Sequence, residues 1–174
     1  MLFGLGDDGL RARVRDAHDV AVREAVGHLE RWSAAVRRGH GGLMVEQASG
    51  LVAAAFRHRT SRAGDPQLHT HVLVPNLGRG VDGRWSALDG RRLYAEARAA
   101  SFIYQAVLRG ELTRTVGVEW SSVRRGIAEV IGVPRSVTRE FSRRRAEIDA
   151  ALAERGTTGA RAAEAAALAT RKVK

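Results

Sequence analysis

The chain has 174 residues, with 29 Lys plus Arg against 19 Asp plus Glu and a formal net charge of +10. It is long enough for one domain with a hydrophobic core, and basic enough that we expect a polyanion such as nucleic acid as its partner. It contains no cysteine, which excludes disulfides and thiolate metal sites and leaves His, Asp and Glu as the residues able to hold a metal. No apolar run reaches the length of a membrane span and the first residues do not resemble a signal peptide, so we expect a cytoplasmic protein with no membrane partner.

The first half of the chain predicts one long helix followed by three strands. From Asp7 to about Arg37, apolar residues recur at steps of three and four, which is typical of an amphipathic helix. Strands are predicted at residues 43–47, 51–59 and 68–77. A Ser49-Gly50 turn is expected between the first two strands, and the polar connection 60–66 is short enough to join the last two as an antiparallel hairpin.

The second half predicts mostly helix. One helix is expected at about 90–116, and a small hairpin at 118–123 and 126–131. A further helix is expected at about 134–155, and an Ala-rich helix at about 160–172. Together these elements predict an α+β fold, in which helices back an antiparallel sheet and a helical and hairpin portion follows.

Two histidines one residue apart, His69 and His71 in "DPQLHTHVLVPN", are the first candidate functional residues. Side chains alternate along a strand, so both imidazoles project from the same face. If 60–66 closes a hairpin, His58 lies across from them, and three imidazoles on one sheet can hold a divalent ion with positions left open. The alternative is that each histidine is an ordinary exposed or hydrogen-bonded side chain, as we expect for His18 and His28, partly exposed on the long helix, and for His40 in a Gly-rich loop.

Two groups of arginines are candidates for contact with nucleic acid. Arg57, Arg59 and Arg62 flank the proposed metal strand. A second group recurs at four-residue steps on the predicted helix 134–155 and consists of Arg135, Arg139 and Arg143. Guanidinium groups on one helix face suit a phosphate backbone, and the alternative is a solvated face of an arginine-rich surface.

The run "FRHRTSRAGDPQLHTHVLVPNLGRGVDGRWSALDG", residues 56–90, resembles the motif of the TrwC/TraI-type (MobF) conjugative relaxases, a group of the His-hydrophobe-His (HUH) endonucleases. The resemblance extends over nearly the whole chain. It implies that His58, His69 and His71 bind one divalent ion that polarises a scissile phosphate at an origin of transfer, while a tyrosine attacks that phosphate. It also implies one partial relaxase domain over 1–174, with the metal-site sheet and helix in 1–90 and a helical portion in 91–174 that helps to clamp single-stranded DNA.

This chain departs from the family pattern in its tyrosines. The family's nucleophilic tyrosines lie near the N-terminus, whereas the tyrosines here are Tyr94 and Tyr104, both in the predicted helix 90–116 and both expected to pack against neighbouring residues. We therefore expect an N-terminally truncated relaxase with no catalytic residue of its own. Its expected partners are single-stranded DNA at an origin of transfer and a separate chain that supplies the N-terminal half.

Three functions remain open at the level of sequence. The first is part of a DNA-nicking transesterase, with one divalent ion whose identity (Mg, Mn, Zn, Ni or Co) the residues do not distinguish. The second is a non-catalytic relaxase remnant that binds metal and DNA. The third is a small metal-dependent hydrolase with a water nucleophile, for which Asp65 and Glu46 are the candidate acid or base.

Overall fold

The structure is a computed structural model that describes residues 2–170. Its helices are α1 Leu2–Leu5, α2 Asp8–Ser33, α3 Gly90–Val116, α4 Arg135–Glu140, α5 Arg143–Glu154 and α6 Ala160–Ala169. Its strands are β1 Ala35–Arg38, β2 Met44–Gln47, β3 Ala54–Thr60, β4 Pro66–Leu73, β5 Gly78–Arg79 and β6 Trp85–Ser86. All three strand pairs are antiparallel, which confirms the predicted α+β fold.

Helix α2 is the element against which α1, α3 and β4 pack. The side chain of Asp7 caps its first turn by accepting a hydrogen bond of 2.7 Å from the backbone N–H of Leu10. Its apolar face lies against α3, and the buried cluster between them consists of Val14, Ala17, Leu112 and Val118. Leu68 of β4 packs on the same cluster. The core therefore holds the helices and one strand of the β3–β4 hairpin together.

The predicted helix to Arg37 is wrong at its end, because α2 stops at Ser33 and Ala35–Arg38 form β1. Strand β2 pairs back with β1, with Ala35 opposite Gln47, and within residues 2–170 it does not pair with β3, the strand expected after the Ser49-Gly50 turn. Residues 34–36 are fully buried, and Ala34 and Val36 belong to a second core cluster with Ala48 and Leu88. Alanine favours a helix and valine favours a strand, so the run Ala34-Ala35-Val36 does not decide between them locally, and burial against these distant partners favours the strand.

The predicted hairpin of β3 and β4 is confirmed, and it is antiparallel with His58 directly opposite His69. Gly64 takes a left-handed backbone conformation in its turn, with φ of 79°. Strand β3 is exposed along its whole length and, among the described residues, pairs only with β4. One long edge of this hairpin is therefore free of any described strand.

The second half follows the prediction in α3, whose bounds are those expected and which ends at the left-handed Gly117. The small hairpin consists of two isolated bridges, Trp120 with Val130 and Arg124 with Ile127. The predicted helix 134–155 is wrong as a single element, because it breaks at Phe141–Ser142 into α4 and α5. The last helix ends at Ala169, and residues 171–172 of its predicted span lie outside the described residues.

Within residues 2–170, each helix is too short or too polar to cross a membrane.

Candidate metal and nucleic-acid site

Three histidines of the β3–β4 hairpin form a compact cluster, which we call the His triad: His58, His69 and His71. One ring nitrogen from each lies within 4.8 Å of the others. The ring centroids are 4.9 to 5.2 Å apart, and the rings meet edge to face. The register places His58 opposite His69, and pleating turns all three rings to one side. The sequence predicted this grouping, and the hairpin brings it together.

The hydrogen bonding of His69 leaves a nitrogen free for a ligand. Its Nδ1 lies 3.1 Å from the carbonyl oxygen of Gln67. A carbonyl only accepts, so Nδ1 is the donor in this bond, and in a neutral ring the lone pair then lies on Nε2, the form in which imidazole binds a metal. His69 is half-buried, whereas His58 and His71 are exposed. The donor set therefore fits one divalent ion with room for further ligands.

The triad faces an open cavity of about 580 Å³ at the turn end of the hairpin. Arg59, Arg62 and Arg144 also line this cavity. The register of β3 shifts between His58 and Thr60, and such a bulge re-aims the side chain between them, here Arg59. Two of the three arginines predicted to flank the metal strand thus share a cavity with the triad. The guanidinium of Arg144 is already occupied by Glu147 and by the carbonyls of Ala167 and Thr170.

Arg57, the third of these arginines, lies elsewhere. It projects from the face of β3 that looks toward α2 and forms an ion pair with Asp19. Its side chain lines a different groove of about 770 Å³ between α2 and β3, together with Val22, Val26 and Phe56. Arg57 therefore links the hairpin to α2 and does not line the cavity of the triad.

The second arginine group is divided by the break after α4. Arg135 and Arg139 remain one turn apart on α4 and line a cleft of about 460 Å³ with Arg145. Arg143 begins α5 and donates from Nε to the buried carboxylate of Asp65 at 3.0 Å. The prediction that three guanidinium groups form one continuous row is therefore wrong, because the helix breaks before Arg143 and the guanidinium of Arg143 forms an ion pair with Asp65.

Asp65 joins the hairpin turn to α5. It is 3% exposed and accepts hydrogen bonds from the backbone N–H of Arg144 at 3.0 Å and from the hydroxyl of Ser61 at 3.1 Å. Burial by itself raises the pKa of Asp65, but these bonds and the Arg143 guanidinium outweigh it and hold the pKa below its usual value. Its carboxylate thus serves as a cap for α5 from outside the helix, where the side chain of Ser142 provides none.

His18 was predicted to be partly exposed, and this is wrong: it is 3% exposed, although both ring nitrogens are satisfied as expected. Its Nδ1 lies 2.8 Å from the hydroxyl of Tyr104 and its Nε2 lies 2.8 Å from the hydroxyl of Thr70. Burial lowers the pKa of His18 and raises the pKa of Tyr104, so both are held in their neutral forms. The position of His18 one turn after Val14, within the apolar stripe of α2, was the signal that it would be buried.

The remaining histidines behave as ordinary side chains. His28 lies 2.8 Å from the carboxylate of Glu96 on α3, and His40 is exposed in a short 3-10 turn at His40–Gly42.

The two tyrosines differ in their surroundings. Tyr104 packs edge to face on His18, as predicted for a packing residue, with ring centroids 5.7 Å apart. Tyr94 is 86% exposed, so the prediction that it packs is wrong.

The two carboxylates considered for acid or base chemistry are both engaged in ion pairs. Asp65 pairs with Arg143, and Glu46 accepts from Arg38 at 2.8 Å. Neither belongs to the lining of the triad cavity. This arrangement gives no support to a hydrolase that would use either of them as its base.

The sequence matches the TrwC relaxase family over residues 1–174. It is also 36% identical over 184 aligned residues to the multifunctional conjugation protein TraI of Escherichia coli. The chain belongs to the TrwC relaxase family. A second TraI, from Escherichia coli strain K12, is 33% identical to it. Both alignments cover all of this chain and 10% of the relative.

Solved structures agree with this membership. A metal-free structure of the conjugative relaxase TrwC in complex with oriT DNA matches with a TM-score of 0.83 and 30% identity, covering 97% of this chain and 58% of that one. A copper-bound structure of TrwC with oriT DNA matches with a TM-score of 0.81 and 31% identity, covering 94% and 57%. The chain thus spans a tenth of its TraI relatives and a little over half of the TrwC chains.

Proposed function

We propose that this chain is the metal- and DNA-binding part of a conjugative relaxase, which holds one divalent ion on His58, His69 and His71 beside single-stranded DNA at an origin of transfer. The observation that carries the proposal is the His triad, in a chain that belongs to the TrwC relaxase family. When bound, the ion would polarise a scissile phosphate for nicking by transesterification.

The residues around the triad support binding of DNA. Arg59 and Arg62 share its cavity, where their guanidinium groups can bind phosphate oxygens of a DNA strand. Arg135 and Arg139 extend the basic surface on α4. TrwC itself has been solved with oriT DNA. In this proposal the residues 1–90 position the metal and the residues 91–174 help to clamp the strand, with Arg57 and Arg143 fixing the hairpin rather than contacting DNA.

The nucleophile is proposed to come from polypeptide other than these 174 residues, in the same chain or in a separate one. Tyr104 hydrogen-bonds to His18 on the face of β4 opposite the triad, and Tyr94 stands exposed on α3. The free edge of β3 and the groove that it forms with α2 offer the place for an added strand, because its backbone N–H and C=O groups can pair there. A strand bound at this edge would lie beside His58.

Metal binding is tested by calorimetry with Mn²⁺, Co²⁺ and Zn²⁺ and by elemental analysis of untagged protein purified without chelator. We expect one ion per chain. His69→Ala should reduce affinity by more than the roughly 10- to 100-fold that loss of an outer-shell partner costs, because it removes a ligand outright. The matched control is His40→Ala, which removes an exposed imidazole outside the triad. Failure of the wild-type chain to bind any divalent ion would refute the assignment.

A non-catalytic, metal- and DNA-binding remnant is the second candidate, and the placement of the two tyrosines favours it. A peptide carrying the tyrosine strand of a related relaxase, added in trans, separates the two. Nicking of an origin oligonucleotide in the presence of that peptide supports a functional enzyme part. Binding of metal and DNA with no nicking under the same conditions supports the remnant.

A further inference from the structure

We infer that His18 and Tyr104 are positioning residues for the His triad, acting through the hydroxyl of Thr70. The inference rests on the proposed metal site and adds residues that do not contact the metal. Thr70 lies between His69 and His71, and its side chain points to the opposite face of β4. Whatever fixes Thr70 therefore fixes the direction in which its two neighbours project.

The contact is made by three elements at one point. On α2, His18 forms two hydrogen bonds of 2.8 Å. Its Nδ1 bonds to the hydroxyl of Tyr104 on α3, and its Nε2 bonds to the hydroxyl of Thr70 on β4. His18 is 3% exposed, so water does not compete for either nitrogen. A neutral imidazole has one donor and one acceptor, and two hydroxyl groups match it whichever nitrogen carries the proton. The bonds are therefore satisfied in both tautomers.

The hairpin depends on contacts with the helices for its orientation, and this one lies directly behind the triad. Strand β3 is exposed along its whole length, and a two-stranded hairpin alone is marginally stable in water. Leu68 and the buried cluster hold β4 near the helices, but apolar packing is non-directional. A hydrogen bond is directional. The bond from His18 to Thr70 thus limits rotation of β4 about its own axis, and that rotation would move His69 and His71 relative to His58.

The first test needs no metal. Thr70→Val keeps the shape of the side chain and removes the hydroxyl, while Thr70→Ser keeps the hydroxyl. In ¹⁵N-histidine NMR spectra of the metal-free chain, we expect Thr70→Val to shift or broaden the imidazole signals of His69 and His71. The signals of His28 and His40 should stay unchanged, and Thr70→Ser should restore the wild-type spectrum. A role in stability alone would lower the melting temperature without this selective change.

The second test uses Co²⁺ as the probe. We expect Thr70→Val to weaken Co²⁺ binding about tenfold, the lower end of outer-shell effects at metal sites, and to alter the visible absorption of the bound ion. Tyr104→Phe, which removes only a hydroxyl, should act in the same direction and replaces Thr70→Val if that variant does not fold. Wild-type NMR spectra and wild-type Co²⁺ binding in a folded variant would overturn the inference. Selective NMR changes in a chain that binds no Co²⁺ would support positioning of the histidines and refute the metal assignment instead.

Discussion

Removing the carboxylate of Asp65 should release α5 and α6 from the metal hairpin. Helix α5 packs mainly on α6, and the carboxylate joins its first residues to the turn of the hairpin. The substitution Asp65→Ala removes acceptors for Arg143, for the N–H of Arg144 and for Ser61. Asp65→Asn keeps the volume and one acceptor but removes the charge. Its effect should be smaller than that of alanine.

The magnitude follows from the three bonds. The cap on the N–H of Arg144 contributes about 1 kcal/mol. The bond from Ser61 to a charged acceptor contributes about 1.5 kcal/mol. Arg143 is 64% exposed, so solvent screening limits its ion pair to less than about 1 kcal/mol. We therefore expect Asp65→Ala to cost about 3 kcal/mol, which corresponds to about a hundredfold loss of hydrogen-exchange protection in α5.

The assay is hydrogen exchange by mass spectrometry on peptides from α2, α3 and α5. Protection should fall in α5 and remain in α2 and α3, because the Asp65 contacts lie outside the α2–α3 interface. Asp16→Ala is the matched control, since Asp16 is 67% exposed and, among residues 2–170, pairs only with the neighbouring Arg15. If Asp65→Ala lowers hydrogen-exchange protection in α5 no more than Asp16→Ala lowers it in α2, the role assigned to Asp65 is wrong.

The same bonds predict the pH dependence. The pKa of Asp65 is lower in the folded protein than in the unfolded chain, where it is about 3.9. Its contribution is therefore fully present above about pH 4 and is lost as the pH falls through the folded value. Wild type and Asp65→Ala should converge in α5 protection at low pH. A difference that stayed constant down to acid pH would contradict this reasoning.

Two further predictions concern DNA. Affinity for single-stranded DNA should fall with salt with a slope of about 0.7 per phosphate contacted. Arg59→Ala and Arg62→Ala should each lower that slope by about 0.7, whereas Arg11→Ala, whose guanidinium pairs with Asp8 and does not line the triad cavity, should not. A flat salt dependence would argue against a phosphate-dominated surface. The unaided chain should form no covalent adduct with a labelled origin oligonucleotide in Mn²⁺ or Mg²⁺ on a denaturing gel. A protein-linked band that disappears in Tyr94→Phe or Tyr104→Phe would make that tyrosine the nucleophile.

The grouping of the His triad was predictable from the sequence because it depends on local rules. A short polar connection with Gly64 closes the hairpin, pairing sets His58 against His69, and alternation puts His71 on the same face. Each rule acts over fewer than twenty residues. The bounds of α3 were predictable for the same reason, since Gly117 ends an otherwise continuous helical pattern.

The features that sequence reasoning missed depend on contacts between distant segments. The change from helix to strand at Ala35 depends on Ala48 and Leu88, which bury the same apolar run. The break between α4 and α5 coincides with the capture of Arg143 and Arg144 by Asp65, 78 and 79 residues earlier in the chain. Neither partner is marked by periodicity around the affected element. The exposure of Tyr94 was missed because the periodicity of apolar residues along α3 does not show which end of the helix other elements cover.

The His triad stands on a hairpin whose strand β3 is exposed along its whole length, and polar contacts behind the triad and at the turn keep its three imidazoles in place. Thr70 is held to α2 through His18, Arg57 is held to Asp19 of the same helix, and Asp65 holds the turn to α5. These contacts lie on the face behind the triad or at the turn, so none occupies the face on which the imidazoles stand. Because the hairpin is held from behind and at its turn, no element has to cover the face that carries the triad. That face can stay open to the phosphates of a DNA strand.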